Sequence, residues 1–421
     1  MLTLDEAINM GIRKGLFQWS LALVAVIFQF TAQLITAGLV MDITNYFHAS
    51  ASQAGFMLSS YYILYALMQV PAGAVVSRFG PKATFIMGHI SFSLSSLILI
   101  FAPNLYMAFL GRILMGLSLG CHYVSFAKAT DQNIPAIYFG RFIALQELLV
   151  VIFQIVFNVS LASVANIKWQ SVIQILSVSS LMLAVFFIFT MKNIDKKDEK
   201  DRLISLMQIK LVVGQIFRDK DLMYKTLIAS CLFSFLTIIY GTWWPTFIVA
   251  ARNVSIAQAL ISNQVLAVGM VIGMAYLLSS SSINNTKNIF IYYGIASALC
   301  LLALLWWPSM PSMYMNGTML LMGFFSAAYC LGFTELGNKP YPKAISVGFV
   351  NGSMLMIAPI IQTMIAGVSE LFHWYYALPD TSVSLSEYQL DLTILPIIQL
   401  VIIVFYLISV RRSVPEINES H

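Results

Sequence analysis

The chain reads as an all-α membrane protein of twelve transmembrane helices in two six-helix halves. Composition is the first observation that predicts this: 59% of the 421 residues are hydrophobic and 10% charged, against roughly 45 to 50% and 25% in soluble domains. Length is the second, because spans of about 20 apolar residues fill 421 positions with about twelve crossings. The third is charge placement: Lys and Arg gather at the ends of apolar runs, where retention on the cytoplasmic side puts them. A water-soluble fold of this length is excluded.

Apolar runs bounded by charge, Pro or Asn place the first six spans at 16–45, 53–76, 83–102, 105–127, 140–164 and 169–191. Six more follow at 222–249, 255–279, 288–307, 312–334, 342–366 and 388–410. The first run is too long for a signal-peptide h-region and lacks a small-residue cleavage site, so it stands as a span. With the N-terminus inside, only Lys168 and Arg252 of the 23 basic residues fall outside, and Arg112 falls within a span. That bias sets both termini in the cytoplasm. The halves, 1–191 and 222–421, are then joined by a cytoplasmic linker, 192–221. Its charged opening, 192–202, leads to Leu203, Met207 and Leu211 at helical spacing. This is the pattern of a helix lying on the membrane surface or of a solvated tether.

The formal charge of +5 is spread over helix ends and not clustered on a water-facing domain, which argues against nucleic acid as a partner. Cys121, Cys231, Cys300 and Cys330 sit in apolar runs without CxxC spacing or histidines at ligand intervals, and read as packing residues. No metal, cofactor or phosphate-cradling GxxxxGK[ST] loop is indicated, so any work must draw on a gradient. A membrane enzyme would need a cluster of acids, bases or ligands at one interface. None is visible, and the chain is expected not to be an enzyme.

Residues 61–82, YYILYALMQVPAGAVVSRFGPK, run from the second span into a short loop carrying Gly73, Arg78, Gly80 and Lys82. This stretch resembles the second helix and signature loop, G-x-x-x-D-R-x-G-x-K, of the major facilitator superfamily (MFS). The six-plus-six organisation with a long cytoplasmic linker extends the resemblance along essentially the whole chain. It departs at Ser77, where the family usually has an aspartate that holds one state closed. Gly73 would let helices approach, Gly80 would permit a tight turn, and Arg78 and Lys82 would anchor the cytoplasmic face. The corresponding stretch of the second half, 275–287, keeps only a small residue and a terminal lysine.

Polar side chains inside spans are the candidates for function, because hydrocarbon makes them costly unless they face the bundle interior. The first span carries Gln29, Gln33 and Thr36 on one face, and the second carries Tyr62, Tyr65 and Gln69. The seventh aligns Ser230, Ser234, Thr237, Gly241 and Trp244, with Tyr240 and Trp243 nearby, and the eleventh aligns Asn351, Ala358 and Gln362. The first set is as well suited to joining helices as to holding a solute. The second and seventh faces look inward, with Trp243 read as an interfacial anchor and Trp244 as a candidate. The eleventh, with Gly348, Gly352 and Pro359 nearby to allow bending, reads as packing or as a gate. The family resemblance implies a cavity lined by helices 1, 4, 7 and 10, which favours the seventh-span stripe.

Ionisable groups say more. Arg112, in GRILMG, matches the arginine of the family's fourth-helix motif, which implies a part in proton coupling or substrate binding. Asp42, at a similar depth near the outer end of the first span, is its expected partner. Glu147 is read as the only acid well inside a span, heading a polar face with Gln154 and Asn158. A carboxyl in hydrocarbon favours its neutral form, which suits a proton carrier as well as a packing role. His89 and His122 are read as isolated structural histidines.

The resemblance implies a secondary transporter that moves a small solute by alternating access. It would be a monomer in the lipid bilayer of the bacterial inner membrane. The fifth span, LQELLVVIFQIVFNVS, lacks the Gly-Pro-rich motif of drug exporters, which tilts the reading toward proton-coupled uptake. The second span and SVGFVN (346–351) are similar to bacterial nutrient carriers of the phagosomal transporter type. An exporter of a siderophore or drug, or a non-transporting sensor, is the alternative. The sequence leaves the solute, the direction and the coupling ion open.

Overall fold

The computed structural model describes residues 4–49, 51–162, 168–192, 206–279, 286–376 and 385–412. Nearly all of them are helical, as hydrocarbon demands, because every backbone N–H and C=O must be satisfied within the segment. Among the described residues eleven stretches are long and apolar enough to cross a membrane. All but one are single crossings. The exception, Ser60–Ile100, has 41 residues, and at about 1.5 Å per residue that is twice the thickness of a bilayer core.

That double stretch lies in α3 (Ala51–Ile100), which turns at Gly80, where φ is 79° and ψ 163°. A side chain would strain this conformation and glycine does not. Two helices that meet at this bend therefore supply the second and third of twelve spans. Gly80 is the glycine of the signature loop, and the turn expected there is the bend observed.

The chain divides into two compact units. The first comprises Met1–Gly214 together with Leu336–Gly352. It contains α1 (Leu4–Gly38), α2 (Val40–Tyr46), α3, α4 (Leu105–Leu119), α5 (His122–Asn133), α6 (Phe139–Ala162) and α7 (Trp169–Thr190). Here α3 packs on α4, α5 and α7, and α1 packs on α5 and α6. α4 and α5 form one crossing, Leu105–Asn133, interrupted at Gly120 and Cys121.

The second unit comprises Gln215–Glu335 with Ser353–His421. The short α8 (Leu206–Arg218) leads into α9 (Lys220–Ser234), a π-helical segment Phe235–Trp243 and α10 (Trp244–Arg252). Then come α11 (Ile256–Ser279), α12 (Thr286–Trp306), α13 (Ser312–Ser326) and α14 (Leu331–Thr334). α15 (Lys343–Tyr376) begins in the first unit and ends in the second, and α16 (Leu385–Arg412) closes the described chain. α11 and α12 both pack on α13, and α16 packs on α9 and α12.

α8 is amphipathic, with Ile209 and Ile216 buried and Lys210, Gln215 and Arg218 exposed. Most of the linker's charged run, 193–205 with Leu203, lies outside the described residues.

Candidate functional site

The signature loop is a tie between helices of the first unit. Lys82 Nζ donates to the Ile188 carbonyl at the end of α7 at 2.8 Å, and Thr84 donates to the Gly80 carbonyl freed at the bend. Arg78 is exposed and lies over the Phe79 ring at 5.4 Å. Ser77 is half-buried. Gly73 serves close approach: a Cβ there would stand 3.0 Å from the Ile345 side chain and 3.1 Å from its Cα. At Gly348 the corresponding atom would lie 2.3 Å from the Gln69 carbonyl, so α15 opens flush against α3 only because both positions lack a side chain.

Along that contact runs a polar network. Gln29 Nε2 donates to the Tyr65 hydroxyl at 2.7 Å. One turn on, the Gln69 amide donates to the carbonyls of Tyr65 at 3.2 Å and Gly120 at 2.9 Å. The second bond satisfies a carbonyl exposed by the interruption between α4 and α5, which a membrane interior leaves no water to satisfy. Asn351 Nδ2 completes the chain, donating to Gln69 Oε1 at 2.7 Å. Residues of α1, α3 and α15 that the sequence presents on three separate faces are thus brought together. The second-span face, which the resemblance ranked below the seventh-span stripe, is the better connected.

Glu147 is buried at 6% exposure on α6. Its Oε1 accepts the Tyr123 hydroxyl of α5 at 2.7 Å. Gln146 beside it is fully buried, and neither atom of its amide has a protein partner among the described residues. Gln154 is half-buried farther along α6, and the side chain of Asn158 lies outside the described residues, as does that of Thr36.

Arg112 departs from expectation. It is 1% exposed, and its guanidinium sits 5.1 Å from the centroid of the Tyr61 ring. Asp42, the expected partner, is exposed on α2 and does not pair with it. α1 ends at Gly38 and α2 starts anew at Val40, so Asp42 does not lie on an uninterrupted continuation of the first helix, as the depth count assumes. Arg112 Nε and Nη1 have no protein partner among the described residues, nor does the Tyr61 hydroxyl. The neighbouring Tyr62 hydroxyl pairs with the Gln33 side chain of α1.

The histidines are not isolated. The rings of His89 and His122 meet edge to face at 4.7 Å. Ser180 spends its hydroxyl proton on the His89 carbonyl at 2.9 Å, so the ring Nδ1–H donates to the Ser180 oxygen at 3.0 Å. Phe28, Phe85 and Phe187 pack around the pair.

In the second unit the seventh-span stripe looks inward to its own backbone. Ser230 and Ser234 donate to carbonyls four residues earlier, at 2.7 and 2.8 Å, and Thr237 approaches the carbonyls of Phe233 and Ser234 at 3.4 and 3.5 Å. The π-helical segment alters the rotation per residue, so spacing counted at 3.6 residues per turn no longer marks one face. Gly241 is consequently exposed, while Trp244 is buried and donates from Nε1 to Ser262 on α11 at 3.0 Å. Two acids missed by the sequence reading, Glu387 and Asp391, are buried at the start of α16. Their i, i+4 spacing at a span's edge was the available signal.

Comparison with known proteins adds the following. The sequence model of the Major Facilitator Superfamily matches residues 21–378. An uncharacterized transporter of Bacillus subtilis, YybO, is 31% identical over 93 residues, 22% of this chain and 21% of that one. The niacin transporter NiaP of Acinetobacter baylyi is 34% identical over 96 residues, 23% of this chain and 22% of that one. The matched stretch thus spans about a fifth of each curated relative. Among solved structures, the fucose:proton symporter FucP of E. coli superposes with a TM-score of 0.70 at 15% identity, over 94% of this chain and 99% of that one. The proton:xylose symporter XylE gives 0.69 at 12% identity, over 93% and 95%. At such identities the likeness concerns the fold.

Proposed function

The chain belongs to the Major Facilitator Superfamily, and from that premise we propose that it is a secondary transporter taking up a small organic solute with protons. Alternating access would expose the binding site to each side in turn. Glu147 is the group assigned to the proton. The observation that carries this is a carboxyl buried in mid-span, which accepts the Tyr123 hydroxyl and borders an amide that has no protein partner among the described residues. Such a carboxyl can be neutral while it is closed off from both sides and ionised when its side opens to water, with Tyr123 following the change as hydrogen-bond donor. The Gln29, Tyr65, Gln69 and Asn351 network is assigned to the solute. The fucose and xylose symporters, named for proton coupling, agree with this reading at the level of fold. The bacterial inner membrane and cytoplasmic termini belong to the same proposal, on the basic bias of the loops.

The test is Glu147→Gln in proteoliposomes. Gln mimics the protonated acid permanently, so gradient-driven accumulation should fall to background while exchange of labelled solute across the bilayer persists. Accumulation equal to that of the unaltered protein would remove Glu147 from the proton path, and loss of exchange as well would make it structural.

A further inference from the structure

Arg112 is a cation without a counter-charge. Removing a guanidinium from water costs several kcal/mol even after the surroundings relax. The Tyr61 ring beneath it returns about 0.5 to 2 kcal/mol as a cation–π contact, which does not balance that cost. The described residues bring no carboxylate within ion-pair distance of it. Two guanidinium nitrogens and the Tyr61 hydroxyl, all buried, lack protein partners. Buried polar groups are ordinarily satisfied, so three such atoms on two touching side chains mark a place built for something else. Glu147 is engaged by Tyr123, and Asp42 is out in the open.

We propose that Arg112, with Tyr61, Tyr62 and Gln33, forms the anion subsite of the transported solute, which is a small organic monocarboxylate. This deepens the transporter reading and rests on it. The chemistry matches on each count. The guanidinium is planar, permanently charged and suited to the geometry of a carboxylate. Charge-assisted hydrogen bonds are stronger than neutral ones, and more so away from water. The Tyr61 hydroxyl supplies a further donor. Tyr62, unlike Tyr61, keeps part of its surface open, which leaves the cation reachable from that side. A single negative charge neutralises the site, so the loaded subsite is compensated inside the bundle and the unloaded one is penalised.

The experiment is a thermal-shift series on the purified full chain, with nicotinate, benzoate and lactate each set against its uncharged amide. At least one carboxylate should raise the melting midpoint where its amide does not. Arg112→Gln should weaken that carboxylate by about tenfold or more, from the roughly 1.5 to 3 kcal/mol of a hydrogen bond to a charged group. Arg112→Lys, which keeps the charge but loses the planar fork, should fall between. Without ligand, Arg112→Gln should melt no lower than the parent, because it removes an uncompensated charge. A series in which no carboxylate acts, or amides act equally, overturns the subsite. So does carboxylate binding unchanged in Arg112→Gln, or an unliganded Arg112→Gln that melts well below the parent and is restored by Lys. Exchange in proteoliposomes separates the two readings: neutral solutes exchanging regardless of position 112 would sink the subsite alone. Absence of exchange for every solute would sink the transporter reading, while the binding series still decides the subsite.

Discussion

Lys225 and Arg112 are both buried cations, at 7% and 1% exposure, and their surroundings are opposite. Lys225, on α9 of the second unit, stands 3.0 Å from Asp221 and 3.0 Å from Glu335. The carboxylates are themselves held, Glu335 by the Thr286 hydroxyl and Asp221 by the Tyr406 hydroxyl at 2.7 Å. One lysine thereby ties α9, α12, α16 and the turn after α14 into a closed network. Arg112, in the first unit, faces tyrosines. In a closed network the cation already has its counter-charges, and its worth lies in holding helices together. An open one is costly until something fills it. A solute is therefore to be sought at the open cation and not at the closed one.

The comparison breaks most readily at Lys225. Lys225→Met should leave two carboxylates facing each other and cost about 3 kcal/mol, the low end for a severed buried pair because Asp221 is partly open to water. Unfolding midpoints in detergent measure it, and an unchanged midpoint would mean the network is not what holds that end of the unit. A smaller effect, about 2 kcal/mol for buried groups left unsatisfied, is expected for Gln69→Leu, which strands the Gly120 carbonyl and the Asn351 amide. Hydrogen exchange at the junction of α4 and α5 should rise with it; protection equal to the parent would show that other groups satisfy that carbonyl. Smallest is Ser230→Ala. Its hydroxyl bonds only within its own helix, so stability should move by less than about 0.5 kcal/mol and solute exchange not at all. A strong transport defect there would restore the seventh-span stripe as part of the site.

Much of the fold was legible in the amino acids because hydrocarbon imposes a local rule: about 20 apolar residues, with every backbone group satisfied inside the segment. The twelve spans follow from it, and so does the Gly80 bend. The Gly in SRFGPK is where one helix ends and the next begins. The types of residue at the site were legible too, since Gln29, Tyr65, Gln69, Arg112, Glu147 and Asn351 stand out against an apolar background. Their partners were not. Which amide meets which hydroxyl depends on how far each helix rotates and slides against its neighbours, and that is settled by contacts remote in sequence. Gly348 on Gln69 is one, 279 positions apart by residue number. Asp42 and Arg112 match in depth on a helical count, yet Asp42 is exposed and the two do not pair. Ser234 and Trp244 share a face only if α9 continues as an α-helix, and the π-helical turn ends that. The sequence determined which residues hydrocarbon makes expensive. Only the tertiary structure decided which of them are compensated, because compensation is a matter of three-dimensional proximity between helices and not of periodicity within one.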